Sequence, residues 1–168
     1  MFSVGELMIY GTNGVCRVDE ICNSPFDSSD TRLFYKLTPT PDRSNLVIYT
    51  PVDNDKVIMR PLISAEEARA LLAMLSEIGI VEVPLEKKRR DIYRELMATV
   101  EPRVYASVIK TVAQRREEFK RTRRRLPDID NDAEHTAKSS LYGELSEVLG
   151  LSREEIHEII TKATGVAG

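Results

Sequence analysis

The sequence predicts an α+β chain, a small β-rich module over residues 1–62 followed by an all-α helical bundle over residues 63–168. Three observations predict it. Short β-type runs punctuated by Gly, Asn, Asp and Pro occupy the first part of the chain. From Pro61 onward, apolar residues recur at helical spacing. The chain has 168 residues, 42% of them hydrophobic, which suffices for two small domains.

Leu7 to Tyr10 and Val15 to Ile21 are β-rich stretches on either side of Gly11-Thr12-Asn13-Gly14, and the Asn-Gly pair predicts a hairpin with a tight turn. Further β-type runs lie at Leu33 to Leu37, Leu46 to Thr50 and Lys56 to Met59. Pro39, Pro41 and Asp42 to Asn45 separate the first two of these, and Asp53-Asn54-Asp55 precedes the last. Five short strands of this kind suggest a strongly bent sheet or an SH3-like barrel. Gly-x-x-Gly at 11–14 is not the phosphate-clamping loop of KH domains, because that loop joins two helices and this one joins two strands.

Ser64 and Glu67 form a capping-box pattern that opens a first helix, whose core stripe is Ala68, Leu71, Leu72, Leu75 and Ile78. Gly79 ends it. A second helix begins near Leu85 after Pro84 and is broken at Val100-Glu101-Pro102. A third runs from about Arg103 toward Arg125 with Tyr105, Val108, Ile109 and Val112 inward. Leu126-Pro127-Asp128 stops it, and an acidic loop follows. Residues 133–149 form a fourth helix with Leu141, Leu145, Val148 and Leu149 inward. Ser152 and Glu155 cap a fifth that buries Ile156, Ile159 and Ile160.

The net charge of −3 hides a segregation. Residues 1–86 carry a net −6, residues 87–125 a net +9 from 14 Lys/Arg against 5 Asp/Glu, and residues 126–168 a net −6. A basic block between two acidic ones reads either as a surface for a polyanion partner, able to follow a phosphate backbone, or as a solvated helix face. Lys87, Lys88, Arg89 and Arg90 fall in the first turns of the second helix. Arg103, Lys110 and Gln114 repeat at spacings of seven and four, opposite the apolar stripe of the third. Arg115, Arg116, Lys120, Arg121 and Arg123 to Arg125 extend the block, although Glu117 and Glu118 interrupt it and could neutralise part of it.

Several function classes find no support. The apolar runs are too short to span a membrane and the N-terminus has no signal pattern, so a cytoplasmic protein is expected, without a membrane partner. Cys16 and Cys22 have no second pair or clustered His, and read as reduced thiols near a strand rather than metal ligands. The Asp128-x-Asp130-x-Asp132 series fails as an EF-hand loop, because Ala133 stands at the glycine position and Ser139 at the final glutamate position. There is no Walker loop, dinucleotide fingerprint or nucleophile elbow, and His135 and His157 have no nucleophile nearby in sequence. No enzyme activity and no cofactor are expected.

Val4-Gly5-Glu6, Ile9-Tyr10, Asn13-Gly14-Val15 and Val18 to Ile21 resemble the opening of the CarD/CdnL family of bacterial RNA polymerase-binding transcription regulators. The N-terminal module of that family also occurs in transcription-repair coupling factor. Tyr49-Thr50-Pro51-Val52-Asp53-Asn54 and Met59-Arg60-Pro61 resemble the end of the same module. Val108-Ile109 and Leu141-Tyr142-Gly143-Glu144-Leu145 extend a less specific similarity to about residue 150. The resemblance implies a Tudor-like module that adds to the lobe of the polymerase β subunit through an exposed strand. It also implies a helical domain that touches promoter DNA at the upstream edge of the melted region and so stabilises the open promoter complex, which would make the protein nucleoid-associated.

Carried over by position, the polymerase-facing strand is Leu46, Val47, Ile48, Tyr49 and Thr50, unless this strand is interior to a closed barrel. Tyr49 stands where some relatives have a polymerase-contacting arginine. The expected DNA-binding residues are Leu85, Lys87, Lys88, Arg89, Arg90, Lys110 and Arg115. The chain has no tryptophan, although relatives place one just before these basic residues as a wedge at the melted DNA. Leu85 stands near that place and either serves as an apolar wedge or packs between helices. Asp128, Asp130, Asp132 and Glu134 lie where relatives often carry Lys and Arg. A monomer is expected, with edge-strand pairing or domain swapping as the route to a dimer. The alternative function is a protein-protein adaptor that binds polymerase or another large partner without touching DNA.

Overall fold

The computed structural model describes residues 1–40 and 45–165, and the chain divides into two compact units, Met1–Leu62 and Ile63–Gly168. The Pro41-to-Ser44 part of the expected β3–β4 connection lies outside the described residues.

The first unit is a five-stranded antiparallel sheet of β1 (Leu7–Tyr10), β2 (Val15–Asn23), β3 (Leu33–Pro39), β4 (Ile48–Pro51) and β5 (Met59–Pro61), in the order β4-β3-β2-β1-β5. Met8, Cys16, Val18, Tyr35 and Leu37 form its core. A β-bulge between Val18 and Glu20 bends β2. The extra residue, Asp19, accepts a hydrogen bond from the Thr38 hydroxyl and pairs with Arg17. The β1–β2 turn differs from a two-residue Asn-Gly turn. Gly11–Asn13 form a 3-10 turn, Gly11 has φ +49° and Gly14 φ +75°, and the Gly11 amide donates to the Ile58 carbonyl at 2.9 Å. The strand expected over Leu46 to Thr50 starts two residues later, and the one expected over Lys56 to Met59 runs over Met59–Pro61.

The second unit contains five helices among the described residues: α1 (Ala65–Ala73), α2 (Arg89–Ala98), α3 (Pro102–Arg121), α4 (Asp128–Leu149) and α5 (Arg153–Thr164). Both capping boxes form: Ser64 and Glu67 close on each other's backbone amides, as do Ser152 and Glu155. The core unites Ala68, Leu71, Leu75 and Ile78 with Tyr105, Val108, Ile109 and Val112 of α3, Leu141 and Leu145 of α4, and Ile156 and Ile160 of α5. Buried inside it, Glu144 of α4 accepts the Ile63 amide at 2.9 Å.

The acidic stretch after α3 departs from expectation. It is no loop but the first turns of α4, which starts at Asp128 rather than near residue 133. Pro127 supplies an extended residue at the N-cap, and Asp128 and Asp130 sit where a helix favours negative charge.

Candidate functional site

Strand β4 is the outermost strand on its side of the sheet, and among the described residues it pairs with β3 alone. The Val52 amide donates to the Leu33 carbonyl at 2.9 Å, and Tyr35↔Thr50 and Leu37↔Ile48 continue that register. Backbone groups alternate sides along a strand, so Ile48 and Thr50 face β3 while Val47 and Tyr49 turn their amides and carbonyls to the open edge. Pro51 takes the next outward position and offers no donor there. Side chains alternate too. Thr50 is buried and accepts from Asn54 Nδ2 at 2.9 Å, Ile48 packs on the core, and Tyr49 projects from the opposite face. Leu46 and Val47 are exposed just ahead of the strand.

In the helical unit, a 3-10 turn over Glu86–Lys88 leads into α2. Leu85 heads that turn and is 55% exposed, so it does not pack between helices. Lys87, Lys88 and Arg90 are exposed, and no side-chain partner meets them among the described residues. Arg89 points the other way. It is 6% exposed, with Nε and Nη2 donating to the two Glu86 oxygens at 3.0 Å and Nη1 to the Tyr93 hydroxyl at 3.2 Å.

The Tyr93 hydroxyl donates to Asp130 at 2.7 Å. Arg115 reaches the same carboxylate with Nε at 2.9 Å and Nη2 at 3.1 Å, and Nη2 also donates to Glu86 at 2.8 Å. Glu86, Arg89, Tyr93, Asp130 and Arg115 thus close a ring that ties the 3-10 turn to α2, α3 and α4. Its two cations and two carboxylates balance. Lys110 is also engaged, its ammonium donating to the carbonyls of Ser76 (2.9 Å) and Ile78 (2.6 Å). Of the residues expected to face DNA, Leu85, Lys87, Lys88 and Arg90 are therefore presented to solvent, whereas Arg89, Lys110 and Arg115 hold the fold.

The rest of the basic block is similarly divided. Arg116 pairs with Glu134, Lys120 with Glu117 and Arg125 with Asp128, while Arg124 stacks on Phe119 at 4.4 Å. Arg103 and Gln114 are exposed. Arg121 and Arg123 have no ion-pair partner among the described residues.

Residues 2–63 match the sequence profile of the CarD-like/TRCF RID domain. The first unit is a CarD-like RID domain. No curated protein matches the chain. The RID domain is a protein-interaction module rather than a catalytic one, and it gives the chain a transcription-related role that involves RNA polymerase. No described helix is long and apolar enough to cross a membrane, and no group of three or more described His, Cys, Asp or Glu residues could hold a metal ion.

Beyond the RID domain, the partly buried ring is the part that sequence reasoning missed. Its signal was present but weak: Glu86, Arg89 and Tyr93 recur at spacings of three and four, as residues on one helical face do. Burial and the Asp130 hydrogen bond push the Tyr93 hydroxyl up to about 12, so it remains a donor at any physiological pH. The Arg89 hydrogen bond, against a smaller opposing effect of burial and with help from Arg115, holds the Glu86 carboxyl below its ordinary range.

Glu134 on α4 makes a second such cluster with Arg116 and Lys138. Burial alone would raise its carboxyl, but the hydrogen bonds and charges of Arg116 and Lys138 outweigh that and leave it below the ordinary value of 4.5. Its stabilising contribution is therefore complete above that value and is lost as pH falls through the lower, folded-state value. Acid unfolding followed by circular dichroism should show this limb, and Glu134→Gln should flatten it. An identical acid limb in Glu134→Gln would reject the assignment.

Proposed function

We propose that the protein is a transcription regulator that binds the lobe of the RNA polymerase β subunit through strand β4 and contacts promoter DNA through the helical unit, stabilising the open promoter complex. The observation that carries the polymerase half is the coincidence of a RID match with an open strand edge at β4. An edge with outward amides and carbonyls accepts another chain's strand by backbone pairing. The DNA half rests on Lys87, Lys88 and Arg90, exposed in succession beside the exposed Leu85. Such cations follow phosphates and carry little sequence information, while Leu85 offers an apolar edge to unstacked bases. The protein would act in the bacterial cytoplasm, on the nucleoid.

A second reading, an adaptor that binds polymerase without touching DNA, is favoured by one observation: Arg89, Lys110 and Arg115 are committed internally, so the free basic surface is smaller than the +9 block.

Binding to RNA polymerase core tests the shared element. Val47→Pro removes an outward donor without disturbing the β3 ladder and should weaken binding more than tenfold in a protein whose circular dichroism is unchanged. Absence of binding by the native protein would overturn the polymerase reading.

A further inference from the structure

The face of the RID sheet opposite its core carries an aromatic cluster that backbone pairing at β4 does not use. Tyr35 and Leu37 of β3 point into the core, so Phe34 and Lys36 point away from it, and the register puts Tyr49 of β4 on this same outer face. Phe26, from the β2–β3 loop, lies edge-on to both rings, 6.3 Å from Phe34 and 5.8 Å from Tyr49 between centroids. Phe34 is almost wholly covered, whereas Phe26 is 74% exposed.

The loop that holds Phe26 is pinned at several points. Ser24 Oγ accepts the amides of Phe26 (3.3 Å) and Asp27 (3.2 Å), Asp27 accepts the amide and hydroxyl of Ser29, and Asp30 accepts the amide and guanidinium of Arg32. Phe26 is not an isolated exposed ring: with the half-buried Tyr49 it forms a contiguous aromatic patch on a fixed loop, next to an open strand, and contiguous apolar patches mark interaction surfaces. The charges around it are already balanced: Arg32 lies over Phe34 at 5.8 Å with its guanidinium paired to Asp30. What the cluster offers a partner is apolar carbon.

We propose that Phe26, backed by Phe34 and Tyr49, is a side-chain anchor for the polymerase segment that pairs with β4, and that it receives an aliphatic side chain from the outer face of that segment. The inference rests on the polymerase reading of β4. A strand added at the open edge places every second side chain on the outer face, directly beside Tyr49 and within reach of the Phe26 ring. With Arg32 paired to Asp30 and Lys36 to Glu20, the patch favours an aliphatic group over a cation or carboxylate, which would be desolvated there without a free counter-charge.

Binding of native protein, Phe26→Ser and Phe26→Leu to RNA polymerase core, with thermal unfolding of each, tests the assignment. Phe26→Ser should bind about tenfold more weakly or worse, and Phe26→Leu should stay within about threefold of native, since burial rather than ring shape supplies the anchor. If Phe26 served only to cover Phe34, Phe26→Ser would lower the unfolding temperature and bind as native below it, which would overturn the proposal. Equal losses in the two variants would overturn the aliphatic assignment. Native binding that Val47→Pro abolishes and Phe26→Ser leaves intact keeps the β4 reading and sinks this one, whereas no native binding removes both.

Discussion

Replacing Asp130 with alanine is expected to destabilise the helical unit by about 3–5 kcal/mol, measured by urea or thermal unfolding. The carboxylate is 0% exposed and accepts hydrogen bonds from Tyr93 and from both Nε and Nη2 of Arg115. Its removal leaves the largely covered Arg115 guanidinium with only the exposed Glu86 as counter-charge and the buried Tyr93 hydroxyl without its acceptor, and unmaking such contacts costs more than the net worth of the pair. Asp128, two residues earlier in the same acidic run, has a side chain 75% exposed and pairs only with an exposed arginine. Asp128→Ala should therefore change stability by no more than about 0.5 kcal/mol. The double change Asp130→Leu with Arg115→Met should recover a substantial part of the loss, because it removes both members of the pair together. A loss below about 1 kcal/mol for Asp130→Ala would mean that the ring does not hold the turn.

The second large effect concerns the exposed cations. With Lys87, Lys88 and Arg90 replaced together by alanine, the lifetime of the promoter complex formed with RNA polymerase should become much less sensitive to salt. Three phosphate contacts at a slope of about 0.9 each lower the logarithmic salt dependence by about 2.7, which over a fourfold rise in salt is a factor of roughly 40. Arg115→Ala supplies the contrast. It should lower the unfolding temperature and leave the salt slope alone, since that guanidinium faces Asp130 and Glu86 rather than solvent. An unchanged slope in the triple variant, with polymerase binding retained, would favour the adaptor.

The elements of this fold were legible where short-range chemistry decides them. The two Ser-x-x-Glu boxes, the Val100-Glu101-Pro102 break and the stripe from Tyr105 to Val112 were readable because each depends on residues within a turn or two of one another. The start of α4 was not. Aspartate-rich stretches usually read as loop, and what makes this one helical is its placement at a helix N-terminus with Asp130 turned inward onto Tyr93 and Arg115, partners 37 and 15 residues away. The same long-range pairing decided which cations are free. Lys87 to Arg90 are one run in the sequence, but a helical turn separates their directions, and only the face bearing Arg89 meets Glu86 and Tyr93. On the sheet, the run Leu46 to Thr50 reads as one strand, and only its register with β3 separates Ile48 and Thr50 from Val47 and Tyr49. The exposed Phe26 lies in a polar loop whose hydrogen bonding no periodicity describes.

Pro51 gives the open edge a short working length. From the exposed Val47 to the missing donor at position 51, a docking strand meets two fully equipped outward residues, Val47 and Tyr49. Backbone pairing is identical for every sequence, so a long bare edge would welcome any stray strand, including another copy's β4, and could grow into an extended ribbon. An edge this brief stops such growth at the first step. It leaves the choice of partner, and most of the time that partner stays, to the side chains beside the ladder.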